Sequence, residues 1–250
     1  MSDRVSQGAL ALDPDLLLRA YTVGVFPMAD SRDAESVYWV EPKTRAILPL
    51  DSFHLSKSLK KTLVSGCYET TANRDFAGVV RLCAESVANR PDTWINAQIE
   101  NAVRVLHAHG HAHSIETWRD GELVGGLYGI SLGGAFFGES MVSRATNASK
   151  VSLAHLVARL RVGGFTLLDC QFMTEHLASF GAVEISRAAY MALLDVAVGA
   201  VGVSGALSVT SGDFGAFDGL PGALPDSPVS VTVSGPASAW RIVQALVHTS

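Results

Sequence analysis

The chain has 250 residues, 48% of them hydrophobic and 17% charged, and its formal net charge is −5 at pH 7. Such a chain can bury a core as one large domain, or as a medium domain with a smaller partner, which excludes a disordered protein. The negative charge argues against nonspecific coating of nucleic acid. No apolar run is long enough to cross a bilayer and no signal peptide is recognisable, so we expect no membrane contact.

The cysteines indicate a reducing environment. Cys67, Cys83 and Cys170 are odd in number and form no CxxC pair. This pattern favours reduced thiols in a cytosolic protein over a disulfide framework or a zinc site.

Charge is distributed unevenly along the chain. From Glu41 to Lys61 the basic residues outnumber the acidic ones five to two, whereas no Lys or Arg occurs from Ala188 to Trp240. The sequence therefore predicts a local basic patch on a protein that is acidic as a whole.

The first sixty residues predict a small α+β unit. A helix is expected from Pro14, with Asp13 as its cap and Gly24 at its end. Two short predicted strands follow, SVYWV and RAILPL, and then a short basic helix, SFHLSKSLKKTL. We take residues 1–60 as a small N-terminal α+β domain.

Two helices and three antiparallel strands are predicted next. The helices are NRDFAGVVRLCAES and DTWINAQIENAVRVLHAHG, the second with Asp92 or Thr93 as its cap. The dipeptides Asp-Gly at 120–121 and Gly-Gly at 133–134 are hairpin turns, so the strands around them form a meander.

The chain then alternates between helices and strands. The predicted helices are NASKVSLAHLVARLRVGG, MTEHLASFG and SRAAYMALLDVAV, and the predicted strands are FTLLDC and AVEI. This order predicts an α+β domain at residues 61–198, with a mixed sheet flanked by helices. Residues 199–250 are a Gly/Ser/Pro-rich extension in which we expect a strand, VSVTV, and a last helix, ASAWRIVQALVHTS.

Familiar catalytic motifs fail in this sequence. Four histidines alternate from His107 to His113, but a helix sends the first two to different faces, and no Cys or carboxylate set completes a metal site. Ser140 lies in GESMV instead of GxSxG, and GGLYGISLGG lacks the GK[ST] of a phosphate loop. We therefore expect neither a metal centre nor a serine nucleophile.

One polar site is Glu139, the single charged residue in an apolar, glycine-rich stretch. Strand alternation places Phe137, Glu139 and Met141 on one face. Glu139 could serve chemistry there or merely pair with a surface lysine, and the residue pattern leaves both interpretations open.

A second polar site is formed by Asp169 and Gln171, which share a face at the end of the strand FTLLDCQ. Functional groups of α/β proteins tend to lie at such strand ends. A carboxylate and a carboxamide near apolar side chains could orient and deprotonate an amine that attacks a carbonyl. The alternative, that Asp169 only caps a loop, stays open.

Longer segments of the chain resemble one protein family. They are, in chain order, AYTVGVFPM, YWVEPKTRAILPLDSFHLSKSLKKTL, DTWI, LHAHGHAHSIETW, LVGGLYGISLGGAFFGESMVSRATNASK and LLDCQFMTEHLASFGAVEISR. Together they resemble the leucyl/phenylalanyl-tRNA–protein transferases. The resemblance runs from about Leu16 to about Leu194, and its most specific parts are GESM…NASK and DCQ…HL.S.GA.EI.

The resemblance implies a cytoplasmic bacterial enzyme that moves leucine or phenylalanine from its tRNA to the α-amino group of a protein beginning with Arg or Lys. The product would carry an N-terminus that marks it for proteolysis. The resemblance also implies a GNAT-type acyltransferase fold for the second domain, with aminoacyl-tRNA in place of acetyl-CoA and no metal or small cofactor. Nothing in the sequence demands a dimer, so we expect a monomer.

Matching positions carry the family's site residues onto this chain. Asp169 and Gln171 become the catalytic pair, in which the aspartate polarises the glutamine, and Glu139 becomes the residue that holds the acceptor's N-terminus. Trp39 and Trp94 match donor-site tryptophans that can stack on the terminal adenosine. The residues expected to line the leucine/phenylalanine pocket are Leu127, Phe136 and Met141. The basic residues expected to meet acceptor-stem phosphates are Arg45, Lys57, Lys60, Lys61 and Lys150.

The chain also departs from the family pattern. The usual double tryptophan is Tyr38-Trp39 here, and FPM ends the opening motif where many members have a tryptophan, so adenosine binding would differ in detail. One alternative is an acyl-CoA-dependent N-acetyltransferase of the same fold, which needs an R/QxxGxG/A loop that SRATNASK does not provide. A second alternative, a module that binds basic N-termini, would need neither the tryptophans nor the basic patch.

Overall fold

The computed structural model describes residues 11–85, 93–199, 211–220 and 237–247. Within these ranges the α-helices are α1 (Pro14–Thr22), α2 (Lys57–Val64), α3 (Phe76–Ala84), α4 (Ala97–Ala108), α5 (Ala148–Val162), α6 (Glu175–Ala178), α7 (Arg187–Val198) and α8 (Ala239–Val247). The strands are β1 (Phe26–Met28), β2 (Tyr38–Val40), β3 (Thr44–Ile47), β4 (Glu69–Ala72), β5 (Ala112–Arg119), β6 (Glu122–Leu132), β7 (Ala135–Ser143), β8 (Leu167–Gln171) and β9 (Val183–Ser186). Among the residues described, no helix is both long and apolar enough to cross a membrane.

A mixed sheet lies at the centre of the fold. Its strands follow the spatial order β4-β5-β6-β7-β8-β3-β9, and β1 pairs with β2 in a separate two-stranded ribbon. All neighbours in the large sheet are antiparallel except β7 and β8. One apolar cluster contains residues of α1, α3, α4 and α7, and a second contains residues of α2, α5 and α8. The predicted α+β class, with a mixed sheet flanked by helices, is confirmed.

Strand β3 ties the N-terminal segment to the large sheet. It pairs with β8 on one side and with β9 on the other, although it lies within residues 1–60. The domain bounds 1–60, 61–198 and 199–250 stay predictions, and any N-terminal unit shares this sheet with the rest of the chain.

Side-chain capping sets the helix starts. The predicted cap of α1, Asp13, is confirmed. Helix α4 begins after Asn96, whose side-chain oxygen accepts a hydrogen bond from the backbone N–H of Ile99 at 3.0 Å. The predicted cap of this helix, Asp92 or Thr93, is therefore wrong, because the Thr93 side chain closes a separate turn just before the helix.

The meander turns at the two predicted dipeptides, but β7 contains an irregularity. Tyr128 pairs with Ser140, and Gly129 pairs with Gly138, so Glu139 is an extra residue on β7. Such a β-bulge bends its strand and breaks the regular alternation of side chains.

The bulge changes which side chains share a face. Phe137, before it, packs in the cluster that contains α1 and α7, whereas Met141, after it, packs against the cluster that contains α5. The predicted common face of Phe137, Glu139 and Met141 is therefore wrong, because strict alternation assumes an unbroken pleat.

The C-terminal extension packs on α5. Arg159 of α5 is buried, and its guanidinium donates to both carboxylate oxygens of Asp218, at 2.6 and 2.7 Å, and to the carbonyl of Phe214 at 2.8 Å. Helix α8 adds three apolar side chains to the cluster around α5. The predicted last helix is thus confirmed, while the predicted strand VSVTV lies outside the described residues.

Candidate active site

The candidate site lies where two neighbouring parallel strands stop pairing. Strands β7 and β8 stay in register as far as Phe137 and Asp169. Directly beyond this point β7 bulges at Glu139, and the register of β8 against β3 skips Cys170. The two irregularities open a gap between the strand ends.

A cavity of about 430 Å³ occupies this gap. Its walls come from β6, β7, β8, α5, α6 and the loop after β8, and they combine many apolar side chains with a few polar ones. Wall residues with a bearing on function are Leu127, Glu139, Met141, Leu156, Gln171 and Leu177. This size and lining suit a site for a small apolar group that is oriented by polar contacts.

Glu139 is the charged residue of the cavity wall. The hydroxyl of Tyr21 donates to its Oε1 at 2.7 Å, and Nε2 of Gln171 lies 3.4 Å from the same oxygen. None of the described residues donates to Oε2, which leaves this oxygen for a ligand. Burial raises the pKa of Glu139 to about 7, against the lowering effect of the Tyr21 hydrogen bond.

Gln171 closes the other side of the gap in an unusual backbone conformation. Its φ is 54°, in the left-handed region that residues other than glycine seldom adopt. Its backbone N–H donates to Oδ1 of Asp169 at 2.8 Å, while its side chain reaches Glu139. The structure thus brings together Glu139 and Gln171, two predicted site residues from separate segments.

Asp169 is fully buried and stands behind the cavity wall. Arg45 donates to its Oδ1 from Nε at 2.9 Å and to its Oδ2 from Nη2 at 2.6 Å, and the hydroxyl of Tyr190 donates to Oδ2 at 2.8 Å. The carboxylate bonds to the backbone N–H of Gln171 and not to its side chain. Among the described residues, no hydrogen bond joins Asp169 to the Gln171 carboxamide, which the predicted polarisation would require.

Arg45 lies in the interior, not on the tRNA-facing surface where the sequence placed it. The residue is only 2% exposed and forms a buried ion pair with Asp169. The prediction that Arg45 meets tRNA phosphates is therefore wrong, because β3 is an interior strand of the sheet and Asp169 already takes up the charge.

Two of the three predicted pocket residues line the cavity. Leu127 and Met141 face it from β6 and β7. Phe136 does not, because it lies where β7 and β8 still pair, and it stacks on Phe214 in the core with 5.8 Å between ring centroids. The placement of Phe136 in the pocket is therefore wrong.

The two predicted donor-site tryptophans flank the β1–β2 ribbon. Trp39, which is 40% exposed, pairs with Pro27 across the ribbon. The carbonyl of Trp94 accepts a hydrogen bond from the N–H of Ala29, next to the end of β1. Trp39 thus lies on the ribbon and Trp94 beside the end of β1, and neither residue belongs to the cavity wall.

Comparison with known sequences decides the family. The family model for the leucyl/phenylalanyl-tRNA protein transferase matches residues 47–195, and the model for its N-terminal domain matches residues 11–43. The chain belongs to this family.

Relatives of the chain carry the same name. The leucyl/phenylalanyl-tRNA–protein transferase of Rhizorhabdus wittichii is 61% identical over an alignment of 250 positions that covers 96% of this chain and 99% of the relative. That of Zymomonas mobilis is 62% identical over 187 residues, which cover 75% of this chain and 70% of the relative. Among solved structures, the crystal structure of FemX gives a TM-score of 0.47 at 13% identity, covering 69% of this chain and 66% of that one.

Four lysines of this transferase-family chain lie on two helices that pack against each other. Lys57, Lys60 and Lys61 are exposed on α2, and Lys150 lies in the first turn of α5, on which α2 packs. We call these four residues the lysine patch. Within the described ranges no carboxylate forms an ion pair with them. Because α5 also lines the cavity, the patch and the cavity share one helix.

Two of the four alternating histidines, His107 and His113, make packing contacts. His107 stacks on Phe76, with ring centroids 4.1 Å apart, and its Nδ1 lies 2.7 Å from the carbonyl of Ala112. His113 stacks on Phe214 at 4.0 Å. In the part of the chain that the structure describes, no three potential metal ligands come together.

Tyr21 and Tyr190 are the site residues that the sequence analysis missed. Each lies on the buried face of a helix and places its hydroxyl on a site carboxylate. Tyr21 is part of the AYTVGVFPM segment, so the resemblance contained a signal for it. Buried tyrosines usually need a hydrogen-bond partner, but periodicity alone cannot name that partner.

Proposed function

We propose that the chain transfers leucine or phenylalanine from its tRNA to the α-amino group of proteins that begin with Arg or Lys. One observation carries this proposal: in a chain of the transferase family, Glu139 and Gln171 meet at the rim of an apolar cavity of about 430 Å³. The new N-terminal Leu or Phe then serves as a degradation signal. A cationic acceptor and an apolar donor group fit this combination of walls.

The reaction joins an amine to an activated ester. The acceptor's α-nitrogen attacks the ester carbonyl carbon, a C–N bond forms, and the C–O bond to the terminal ribose breaks. Before the attack the acceptor's ammonium group loses one proton to solvent, and the second proton, lost as the C–N bond forms, passes to Glu139 and then to the departing ribose oxygen. A base with a pKa of about 7 is well matched to this transfer. Since the ester is already activated, positioning supplies much of the remaining rate.

Each substrate has its own side of the site. The free Oε2 of Glu139 binds the acceptor's ammonium group, and the Gln171 carboxamide oxygen accepts a hydrogen bond from the same nitrogen. Leu127 and Met141 contact the donor's side chain, and the flexible thioether suits a pocket that takes two shapes. Trp39 and Trp94 stack on the terminal adenosine, and the lysine patch binds acceptor-stem phosphates.

The decisive experiment supplies both substrates to the purified full chain. tRNA charged with labelled leucine is incubated with a peptide that begins with Arg, and label is counted in the peptide. We expect transfer to the Arg peptide and little to the same peptide with an N-terminal Gly. Equal transfer to both peptides would refute the proposed function. So would a parallel reaction in which label passes from labelled acetyl-CoA to the peptide while none passes from the tRNA.

The pH dependence of kcat/KM should follow the protonation of the Glu139 carboxylate. Because burial raises the pKa of Glu139 to about 7, kcat/KM for the Arg peptide should fall as pH drops below about 7 and Glu139 becomes neutral. Tyr21→Phe removes the hydrogen bond that lowers this pKa, so the acid limb should move to higher pH. The matched control is Tyr68→Phe, which removes a tyrosine hydroxyl that donates to the carbonyl of Thr146 instead of to Glu139. Superimposable acid limbs for the parent and Tyr21→Phe would contradict this role.

The lysine patch should make tRNA binding depend on salt. Reversing one phosphate-contacting charge in Lys57→Glu should weaken binding and lower the slope of log affinity against log salt by about 1. Arg104→Glu is the control, since Arg104 is half exposed on α4, a helix whose buried residues belong to the apolar cluster that does not contain α2 and α5. Filter binding of tRNA at several salt concentrations measures both slopes. Equal salt slopes for the two variants would show that Lys57 of the lysine patch does not contact the tRNA phosphates.

A further inference from the structure

We propose that Arg45 is a positioning residue of the transfer reaction. Together with Tyr190 it holds Asp169 as a charged anchor, and this anchor fixes the backbone of Gln171. Through the Gly24 carbonyl, the same guanidinium also fixes the turn that follows Tyr21. This inference rests on the proposed function, since it assigns how the two groups at the cavity rim are held in place.

The first step is that Asp169 has no capacity left for substrate. Its Oδ1 accepts hydrogen bonds from Nε of Arg45 and from the backbone N–H of Gln171, and its Oδ2 accepts from Nη2 of Arg45 and from the hydroxyl of Tyr190. A carboxylate offers about four lone-pair positions, so these four donors occupy it fully. Asp169 therefore acts through its neighbours and not on the reacting atoms.

The second step is that Gln171 needs an anchor. A left-handed φ costs a side-chain-bearing residue free energy and persists where the surroundings enforce it. The N–H of Phe172 donates to the carbonyl of Cys170 at 2.7 Å and closes a tight turn around Gln171, while the hydrogen bond from the Gln171 N–H to Asp169 fixes the peptide unit from which this turn starts. Without a fixed carboxylate, Gln171 could relax to an extended conformation, and its carboxamide would leave Glu139.

The third step is that Arg45 joins both halves of the site. While Nε and Nη2 hold Asp169, Nη1 donates to the carbonyl of Gly24 at 3.0 Å. The N–H of Gly24 in turn donates to the carbonyl of Tyr21, whose hydroxyl binds Glu139. One guanidinium thus connects the strand end that carries Gln171 with the helix end that positions Glu139.

The fourth step is that the site requires a guanidinium. The group lies between the rings of Phe26 and Tyr190, with its carbon 4.7 and 4.6 Å from their centroids. Its planar fork supplies three donors in fixed directions, whereas a lysine ammonium is a single point charge on a flexible stem. Gly24 packs so closely that a Cβ there would lie 3.0 Å from the Tyr190 ring, which leaves little room for rearrangement.

The test separates positioning from stability. Arg45→Lys keeps the positive charge, and Tyr190→Phe removes one hydrogen-bond donor to Asp169. The double variant Arg45→Met/Asp169→Leu replaces the buried ion pair with apolar side chains, a change that commonly restores stability. We measure kcat, KM for leucyl-tRNA, KM for the Arg peptide and the melting temperature of each full-length variant. The control is Arg187→Lys, which alters an exposed ion pair with Glu41.

We expect kcat to fall by about 10- to 100-fold in Arg45→Lys, with KM for leucyl-tRNA unchanged, because small displacements of reacting groups are costly. The double variant should melt close to the parent yet keep a low kcat, which a purely structural role would not produce. A double variant with parental kcat, or an Arg45→Lys variant that changes only KM for leucyl-tRNA, would overturn the inference. A parent chain that transfers no leucine would instead overturn the proposed function and this inference with it.

Discussion

Replacing Glu139 with glutamine should lower kcat/KM for a peptide with N-terminal Arg by roughly 100-fold, the largest loss of activity we expect from a single conservative change. The variant keeps the shape of the side chain and can still accept the Tyr21 hydrogen bond. It loses the negative charge that binds the acceptor's ammonium group and the base that takes its proton. Transfer of labelled leucine at several peptide concentrations gives the value.

The matched control for this change is Glu122→Gln. Glu122 is exposed at the start of β6, in the same meander but away from the cavity. Its substitution should leave kcat/KM for the Arg peptide within about twofold of the parent, since an isolated surface charge contributes little. If Glu139→Gln transferred leucine as well as Glu122→Gln does, Glu139 could not be the acceptor site.

Asp218→Asn should give the largest loss of stability that we predict for a change outside the site. Arg159 is 1% exposed at its side chain, and the carboxylate of Asp218 faces its guanidinium with two hydrogen bonds. Removing the charge of one partner in a buried pair costs about 3 kcal/mol. For a chain of this size the melting temperature should fall by roughly 6–12 °C, as followed by circular dichroism.

The control for stability is Asp195→Asn on α7. This aspartate is exposed, so the substitution should change the free energy of unfolding by less than about 0.5 kcal/mol. A melting temperature for Asp218→Asn within the range of this control would mean that residues 211–220 add little to the stability of α5. The predicted difference tests whether the C-terminal extension belongs to the folded core.

Most helices and strands could be predicted in order because local signals determine them, although the short strands β1 and β4 are absent from the prediction. Asp13 caps a helix through contacts within one turn, and the dipeptides at 120–121 and 133–134 form turns from their own conformational preferences. The start of α4 was misplaced because Thr93 and Asn96 are both good caps. Packing of the intervening turn against the core selects between them, and this information lies elsewhere in the chain.

The site was only partly predictable, for a physical reason. The sequence pattern marks Glu139 and Asp169, but Tyr21 and Arg45, which bind them, lie more than a hundred positions away in the chain, and Tyr190 lies on a separate helix. Arg45 looked like a surface cation because it stands among exposed lysines in the sequence, and only the pairing of β3 with β8 turns it toward Asp169. Long-range pairing of this kind leaves no periodicity to detect.

The bulge at Glu139 has a consequence for the evolution of this strand. Phe136 and Met141 face one core cluster, and Phe137 and Val142 face the other, so side-chain parity reverses across Glu139. The same residue therefore supplies the site's charge and the frame shift that aims Met141 at the cavity. Substitution of Glu139 can remove the charge alone, whereas its deletion would also move every later side chain of β7 to the opposite face of the sheet. Single-residue gaps at this position should consequently be purged even where the carboxylate itself is dispensable.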